Sequence, residues 1–395
     1  MNITQQLLDS NKNFLIEGPG GTGKSTILRE LVSKKKNCQV VAQTGIAALN
    51  VDGLTIHTFF EFKSKDTILT LRQKKLKSLI NLECLIIDEI SMVRADLLDM
   101  VDIRLRAAKE NDLPFGGVQL IMFGDLYQLP PIVMKTDPFK KLKYDTKFFF
   151  SAKAMKNTEY EIISLDKIHR QTDMQFINIL NAIRTNIVTQ EELDVINDKC
   201  VRKYDGESVY LATTNGIADE INKSAMLKID SKAKKYFAVN EGFRKYEYPA
   251  EYELTLKKGC RVMFIRNDTK HNKFVNGDVG TIVFMEKDRI GIKKHGGGLI
   301  KLEPYTWVKE LDVDGEMEKQ KFTQFPLKLA YAITIHKSQG KTFESMHLDL
   351  GGYVFSAGQT YVALSRARNM ENLSLERPIK LEDVFIDKDI KKLLG

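Results

Sequence analysis

The sequence is poor in cysteine and histidine, and it has no long apolar run, no internal repeat and no low-complexity tract. Its four cysteines, Cys38, Cys84, Cys200 and Cys260, lie far apart without a C-x-x-C pair. That spacing supports neither a disulfide framework nor a zinc site, and it fits a reducing compartment. No stretch approaches the roughly 18 to 20 apolar residues of a membrane span, so no membrane partner is expected. The start, MNITQQLLDSNKNFLIEG, has neither a basic segment followed by an apolar core nor a transit-peptide pattern, so a cytoplasmic or nucleoid-associated location is expected. What remains is a chain of 395 residues, 43% of them hydrophobic, enough for two or three packed domains. Lys and Arg number 60 against 52 Asp and Glu, a net charge of +8, which favours a polyanionic partner.

Short apolar runs alternate with longer helical stretches through the first half: NFLIEG, QVVAQT, CLIIDE and VQLIMFGD. A second series follows with VYLATTN, LKLAYAITI, MHLDL and NLSLE. Such alternation predicts parallel strands with crossover helices, hence two α/β units. Between Val275 and Phe325 the texture changes to short runs such as VGTIVFME and RIGIKK, split by NGD, HGGG and DVDGE. Strands joined by Gly- and Asp-rich turns predict a small antiparallel barrel inserted into the second unit.

The run GPGGTGKS follows the strand NFLIE and opens a helix, matching G-x-x-x-x-G-K-[ST] in its required context. Gly18, Pro19, Gly20, Gly21, Thr22 and Gly23 would turn the backbone so that its N–H groups face phosphate oxygens, with Thr26 in the first helical turn. Lys24 would neutralise the β- and γ-phosphates, and Ser25 would ligate Mg²⁺. In LIIDE, Asp88 would hold the metal through water and Glu89 would take a proton from the attacking water. Together these motifs indicate an ATP- and Mg²⁺-dependent NTPase without saying what the energy does.

The stretch FGDLYQLPPI narrows the choice. If VQLIMFGD is a strand of the same sheet, its end emerges beside the terminal phosphate. The neutral amide of Gln128 could then bond both that phosphate and the lytic water, with Asp125 fixing the loop and Pro130 and Pro131 stiffening its exit. This stretch, with GPGGTGKS, DEISM and HKSQGKT, resembles the Pif-type (petite integration frequency) helicases, and more distantly the RecD-like and phage Dda helicases. AQTGIAALNVDGLTIHTFF, ISMVRADLLDMVDIRLR, LDKIHRQTD, LATTNGIADEIN and GQTYVALSRAR continue the series in order over almost the whole chain.

The resemblance implies a superfamily-one motor that moves 5′ to 3′ on single-stranded DNA and unwinds tailed or forked duplexes. It implies two RecA-like P-loop domains: 1–165, with a short strand-separating wedge at about 58–81, and 166–274 with 326–395. An SH3-like barrel at 275–325 would complete the α/β fold. Arg170 and Arg366 belong to the second unit, so as phosphate-contacting fingers they would act only when the cleft shuts. Gly340 would lie on the nucleotide side of HKSQGKT, and Gln339 would link nucleotide and DNA loops. Thr44, Gly45, Thr55 and His57 in the first unit, and Thr213, Thr214, Asn215, His336, Lys337 and Ser338 in the second, are the candidate DNA-backbone contacts. Lys270, Lys273, Lys293 and Lys294 are candidates to line the barrel. A glutamine reading adenine is expected ahead of the loop, with Gln5 and Gln6 as the choices and Gln6 carried forward. A monomeric motor is expected. The residues leave open whether G-quadruplex DNA or RNA–DNA hybrids are also bound.

Overall fold

The structure, a computed structural model, describes residues 3–63, 66–71, 75–133, 138–169, 171, 173–268, 271, 273–295, 297–313 and 316–394. The first unit is built on a six-stranded parallel sheet. Its order is Leu54–Thr55, Cys38–Ala42, Cys84–Asp88, Gln119–Gly124, Asn13–Glu17, Tyr160–Ser164. The central strands are apolar along their length because helices and irregular segments cover both faces, leaving Gln119–Gly124 buried at every position. Tyr160–Ser164 lies at the edge with most of its residues partly or fully exposed, so no continuous apolar run marks it.

Helix Ala95–Lys109 packs on this sheet with three aspartates turned inward. Asp99 accepts from Tyr144 Oη at 2.6 Å and from the amides of Lys153 at 3.1 Å and Ala154 at 2.9 Å. Asp102 accepts from Arg106 Nε at 2.9 Å and from Phe115 N–H at 2.6 Å. The segment ISMVRADLLDMVDIRLR thus organises the irregular chain between sheet and second unit, because loop amides buried there require acceptors.

The second unit has a four-stranded parallel sheet, in the order Ala332–Thr334, Val209–Ala212, Met346–Leu348, Leu373–Leu375. The run LKLAYAITI, which reads as one strand, is two. Leu327–Leu329 pairs antiparallel with Arg261–Phe264, and the chain crosses at Ala330 and Tyr331 into the parallel strand Ala332–Thr334. Ala332–Thr334 is buried throughout and Leu327–Leu329 only at Leu327, yet the apolar run continues across the change of sheet. Leu327–Leu329 closes a five-stranded antiparallel sheet whose order continues Arg261–Phe264, Val279–Met285, Ile290–Lys294, Leu299–Leu302. Antiparallel structure extends on both sides of 275–325 and includes a long hairpin, Tyr305–Val313 with Glu316–Gln324. The last helix, Lys388–Leu394, returns to the first unit, where Ile390 joins the core and Lys147 Nζ meets Asp387 at 2.8 Å. Among the described residues no helix is long and apolar enough to cross a membrane.

Asp99→Ala removes the acceptor shared by three donors, of which the Ala154 amide is buried. It is expected to lower the unfolding free energy by about 3 kcal/mol, measured by urea unfolding.

Candidate functional site

Parallel pairing aligns Glu17 with Gly124 and Ala42 with Asp88, so four strand ends deliver their loops to one rim of the first sheet. The loop after Asn13–Glu17 turns at Gly23, whose φ of 91° is costly for any residue with a side chain, and enters helix Lys24–Lys34. Gly18 is equally constrained, since a Cβ there would lie 2.4 Å from Leu165 O. Thr22 Oγ1 donates to Pro19 O at 2.9 Å and braces the turn. Lys24 Nζ bonds the carbonyls of Gly18 and Pro19, the latter at 2.9 Å. Burial pushes its pKa down from the usual lysine value, as expected for an ammonium group held by carbonyls that an anion would better satisfy.

Ser25, Asp88 and Glu89 line a cleft of about 440 Å³ with Arg29, Thr44 and Gly45 from the first unit and His336, Lys337, Gln339 and Gly340 from the second. Burial, then the neighbouring Glu89 carboxylate, raises Asp88 to about 7. Glu89 adopts φ of 52°, left-handed backbone that a non-glycine residue takes up at a cost of about 1 kcal/mol or more. A serine hydroxyl and a desolvated carboxylate beside a second one form an oxygen donor set that fits a hard divalent cation. Among the described residues no cluster of three His, Cys, Asp or Glu could hold a metal by itself, so phosphate oxygens and water would have to complete such a site.

The FGDLYQLPP loop sits between the units. Asp125 is fully buried and accepts four hydrogen bonds, from Tyr127 N–H at 3.2 Å, Gln128 Nε2 at 3.3 Å, Arg184 Nε at 3.1 Å and Tyr361 Oη at 2.9 Å. Arg184 also pairs with Glu17 and lies over the Tyr127 ring at 4.4 Å. Gln339 Nε2 reaches Gln128 Oε1 at 3.4 Å, linking HKSQGKT to the FGDLYQLPP loop, the candidate γ-phosphate sensor. Arg184, Glu17 and Tyr361 are absent from the sequence-derived set. Tyr361 stands within GQTYVALSRAR, but Arg184 lies in an ordinary amphipathic helix, Met174–Thr185, and nothing in its local pattern distinguishes it.

Arg170 and Lys270 lie outside the described residues. The neighbours of Arg170 are informative, since His169 N–H bonds Gly21 O at 2.8 Å and Gln171 Nε2 bonds Ser365 O at 3.2 Å and Ala367 O at 3.1 Å. Arg366 does not reach the phosphate loop here. It is 1% exposed and donates to Val362 O at 2.8 Å, Lys341 O at 3.2 Å and Ser365 Oγ at 2.7 Å, all within its own unit. Among the DNA candidates, Thr44, Thr55 and Thr214 cap helices through their hydroxyls. Gly45, Asn215 and Lys337 are exposed, Thr213 is buried, and His57 and His336 are half-buried with pKa values lowered chiefly by burial. Ser338 differs from expectation, because its side chain is fully buried and donates to Ile335 O at 2.7 Å, closing its own turn. Gln5 bonds Asp9 at 2.8 Å, whereas Gln6 is half-buried on helix Ile3–Asp9.

The profile described as PIF1-like helicase matches residues 2–193. The ATP-dependent DNA helicase PIF1 of Xenopus laevis is 33% identical over 92% of this chain, which spans 59% of that protein's length. The ATP-dependent DNA helicase Pif1 of Bdellovibrio bacteriovorus is 31% identical over 93% of this chain and 85% of its own. The chain belongs to the PIF1-like helicase family. Solved structures of Bacteroides sp Pif1 agree: the unliganded protein is 37% identical with a TM-score of 0.86, covering 100% of this chain and 96% of that one. The ssDNA-bound form matches at TM-score 0.75 over the same shares, with 38% identity. The arrangement of units in this PIF1-like helicase is thus closer to that of the DNA-free forms, unliganded or in complex with ADP-AlF4 (TM-score 0.87), than to that of the ssDNA-bound form.

Lys24→Ala is expected to abolish binding of nucleoside triphosphate in isothermal calorimetry while leaving the far-ultraviolet circular dichroism unchanged.

Proposed function

We propose that the chain is an ATP-dependent DNA helicase that translocates 5′ to 3′ on single-stranded DNA. The observation that carries this reading is the continuity of the cleft. The phosphate loop and acid pair open into the same 440 Å³ space as Thr44, Gly45, His336 and Lys337, so nucleotide and DNA sites share walls contributed by both units. A nucleotide enzyme without a polymer track has no need of that continuity.

In this reading residues 1–165 form the ATP-binding domain, with the wedge near 58–81. Residues 166–274 and 326–395 form the second, and the antiparallel region around 275–325 is an SH3-like insert. The loop amides from Gly18 to Thr26 cradle the phosphates. Lys24 exchanges its own loop's carbonyls for phosphate oxygens. Ser25 and Asp88 would hold Mg²⁺, whose role is to neutralise charge on the phosphates. Glu89 accepts the proton of the attacking water, and Gln128 orients that water against the terminal phosphate.

Arg170 and Arg366 complete the site from the second unit. Their two segments are already stitched together by Gln171, so they advance as one when the cleft shuts. Arginines delivered this way contribute about 10³ to 10⁵ in rate. Until then Arg366 is satisfied by carbonyls, which keeps hydrolysis slow in the open arrangement. Gly340, beside Gln339, faces the nucleotide, and Gln6 is the residue we assign to the base. Thr44, Gly45, Thr55 and His57, against Thr213, Asn215, His336 and Lys337, grip the DNA backbone in turn, with Ser338 supporting the loop from inside. Backbone contacts carry no base preference, so single-stranded DNA and tailed or forked duplexes are the assigned partners of a monomeric motor.

A duplex with a 5′ single-stranded tail is expected to be unwound with DNA-stimulated ATP hydrolysis, and one with a 3′ tail is not. Equal displacement from both tails in a gel-based assay sinks the polarity. Glu89→Gln should keep ATP and DNA binding but lose at least about 100-fold in turnover. Turnover at the wild-type rate would remove Glu89 from the base role.

A further inference from the structure

Tyr361 belongs to helix Gln359–Leu364 of the second unit, yet its hydroxyl is engaged entirely with the first. It donates to Asp125 Oδ2 at 2.9 Å and accepts from Gly20 N–H of the phosphate loop at 3.2 Å. The side chain is 2% exposed, and no role for it follows from the nucleotide or DNA contacts assigned above. A hydroxyl suits this place because one oxygen can accept from an amide while donating to a carboxylate. Burial raises the phenol pKa above the usual tyrosine value, so the donated proton is retained.

The approach that delivers this hydroxyl is specific. Gly358, just upstream, has φ of 71°, and a Cβ there would lie 2.3 Å from Tyr127 O and 2.9 Å from Gln128 O. The second unit therefore rests its backbone directly on the sensor loop. Arg184, from another helix of the same unit, grips the other Asp125 oxygen at 3.1 Å and pairs with Glu17, at the end of the strand that leads into the phosphate loop. Asp125 in turn holds the Gln128 amide at 3.3 Å.

We propose that Tyr361, assisted by Arg184, is a positioning residue through which the second unit sets Gln128 and the Gly20 end of the phosphate loop in register for hydrolysis. The two units pivot about this contact, so closure of the cleft and alignment of the sensor are one movement. The inference rests on the reading of the chain as a DNA-stimulated ATPase.

Tyr361→Phe keeps the ring and its burial and deletes only the hydroxyl. The expected result is a fall in DNA-stimulated kcat of about 10-fold or more, with KM for ATP changed by less than about 3-fold and a melting temperature well above that of the assay. Arg184→Lys, which keeps the charge but not the fork, is expected to lower kcat in the same direction and carries the test if the first variant does not fold. Wild-type kcat and KM in Tyr361→Phe overturn the proposal. So does a loss of rate matched by an equal loss of folded protein, which assigns the hydroxyl to stability alone. A wild-type chain with no ATP hydrolysis on DNA overturns the motor reading itself, and it is seen before any variant is compared.

Discussion

The buried carboxylate of Asp125 is the interaction on which the arrangement of this protein depends. Its oxygens lie where no water reaches, and Glu17 lies close by, so the two require donors from their surroundings. Arg184 and Tyr361 supply them from the second unit, and Lys24 adds a favourable charge from the phosphate loop. Removing one member of such a network strands a charge in low dielectric, at a cost of about 3 to 5 kcal/mol. Interface, sensor loop and phosphate loop are thereby held by a single set of bonds.

The chemistry sits where it does because parallel sheets place their strand ends at one rim. Asn13–Glu17, Cys84–Asp88 and Gln119–Gly124 are neighbours, so loops distant in sequence converge within hydrogen-bond reach. Asp88 is desolvated and repelled by the neighbouring Glu89 carboxylate, an arrangement that favours a cation beside them. The left-handed backbone at Glu89 points to the same economy, with local strain retained at the position that would handle the proton.

The parts are not all engaged at once. Arg366 is buried and donates to two backbone carbonyls and the Ser365 hydroxyl of its own unit, and its segment is tied through Gln171 to the turn that also touches Gly21. The units match DNA-free Bacteroides Pif1, with or without ADP-AlF4, better than the ssDNA-bound form.

The amino-acid pattern by itself determined the parts whose chemistry is local. Gly18 to Ser25, Asp88, Glu89 and Gln128 are legible because a phosphate cradle needs glycine, lysine and serine at fixed spacing, and because buried parallel strands are apolar throughout. The two α/β units were legible for the same reason. Only the tertiary structure decided what depends on contacts between distant segments. Arg184 has no local signature, and the motif that contains Tyr361 does not reveal its partners, since those of both residues lie far along the chain in the other unit. The split of LKLAYAITI between two sheets is invisible to hydrophobicity, because the apolar run continues across the crossing at Ala330 and Tyr331. Ser338 reads like a surface contact from its neighbours, yet the turn folds its hydroxyl inward. Local spacing specifies which groups can do the chemistry, but only the packing of the units determines which of them meet.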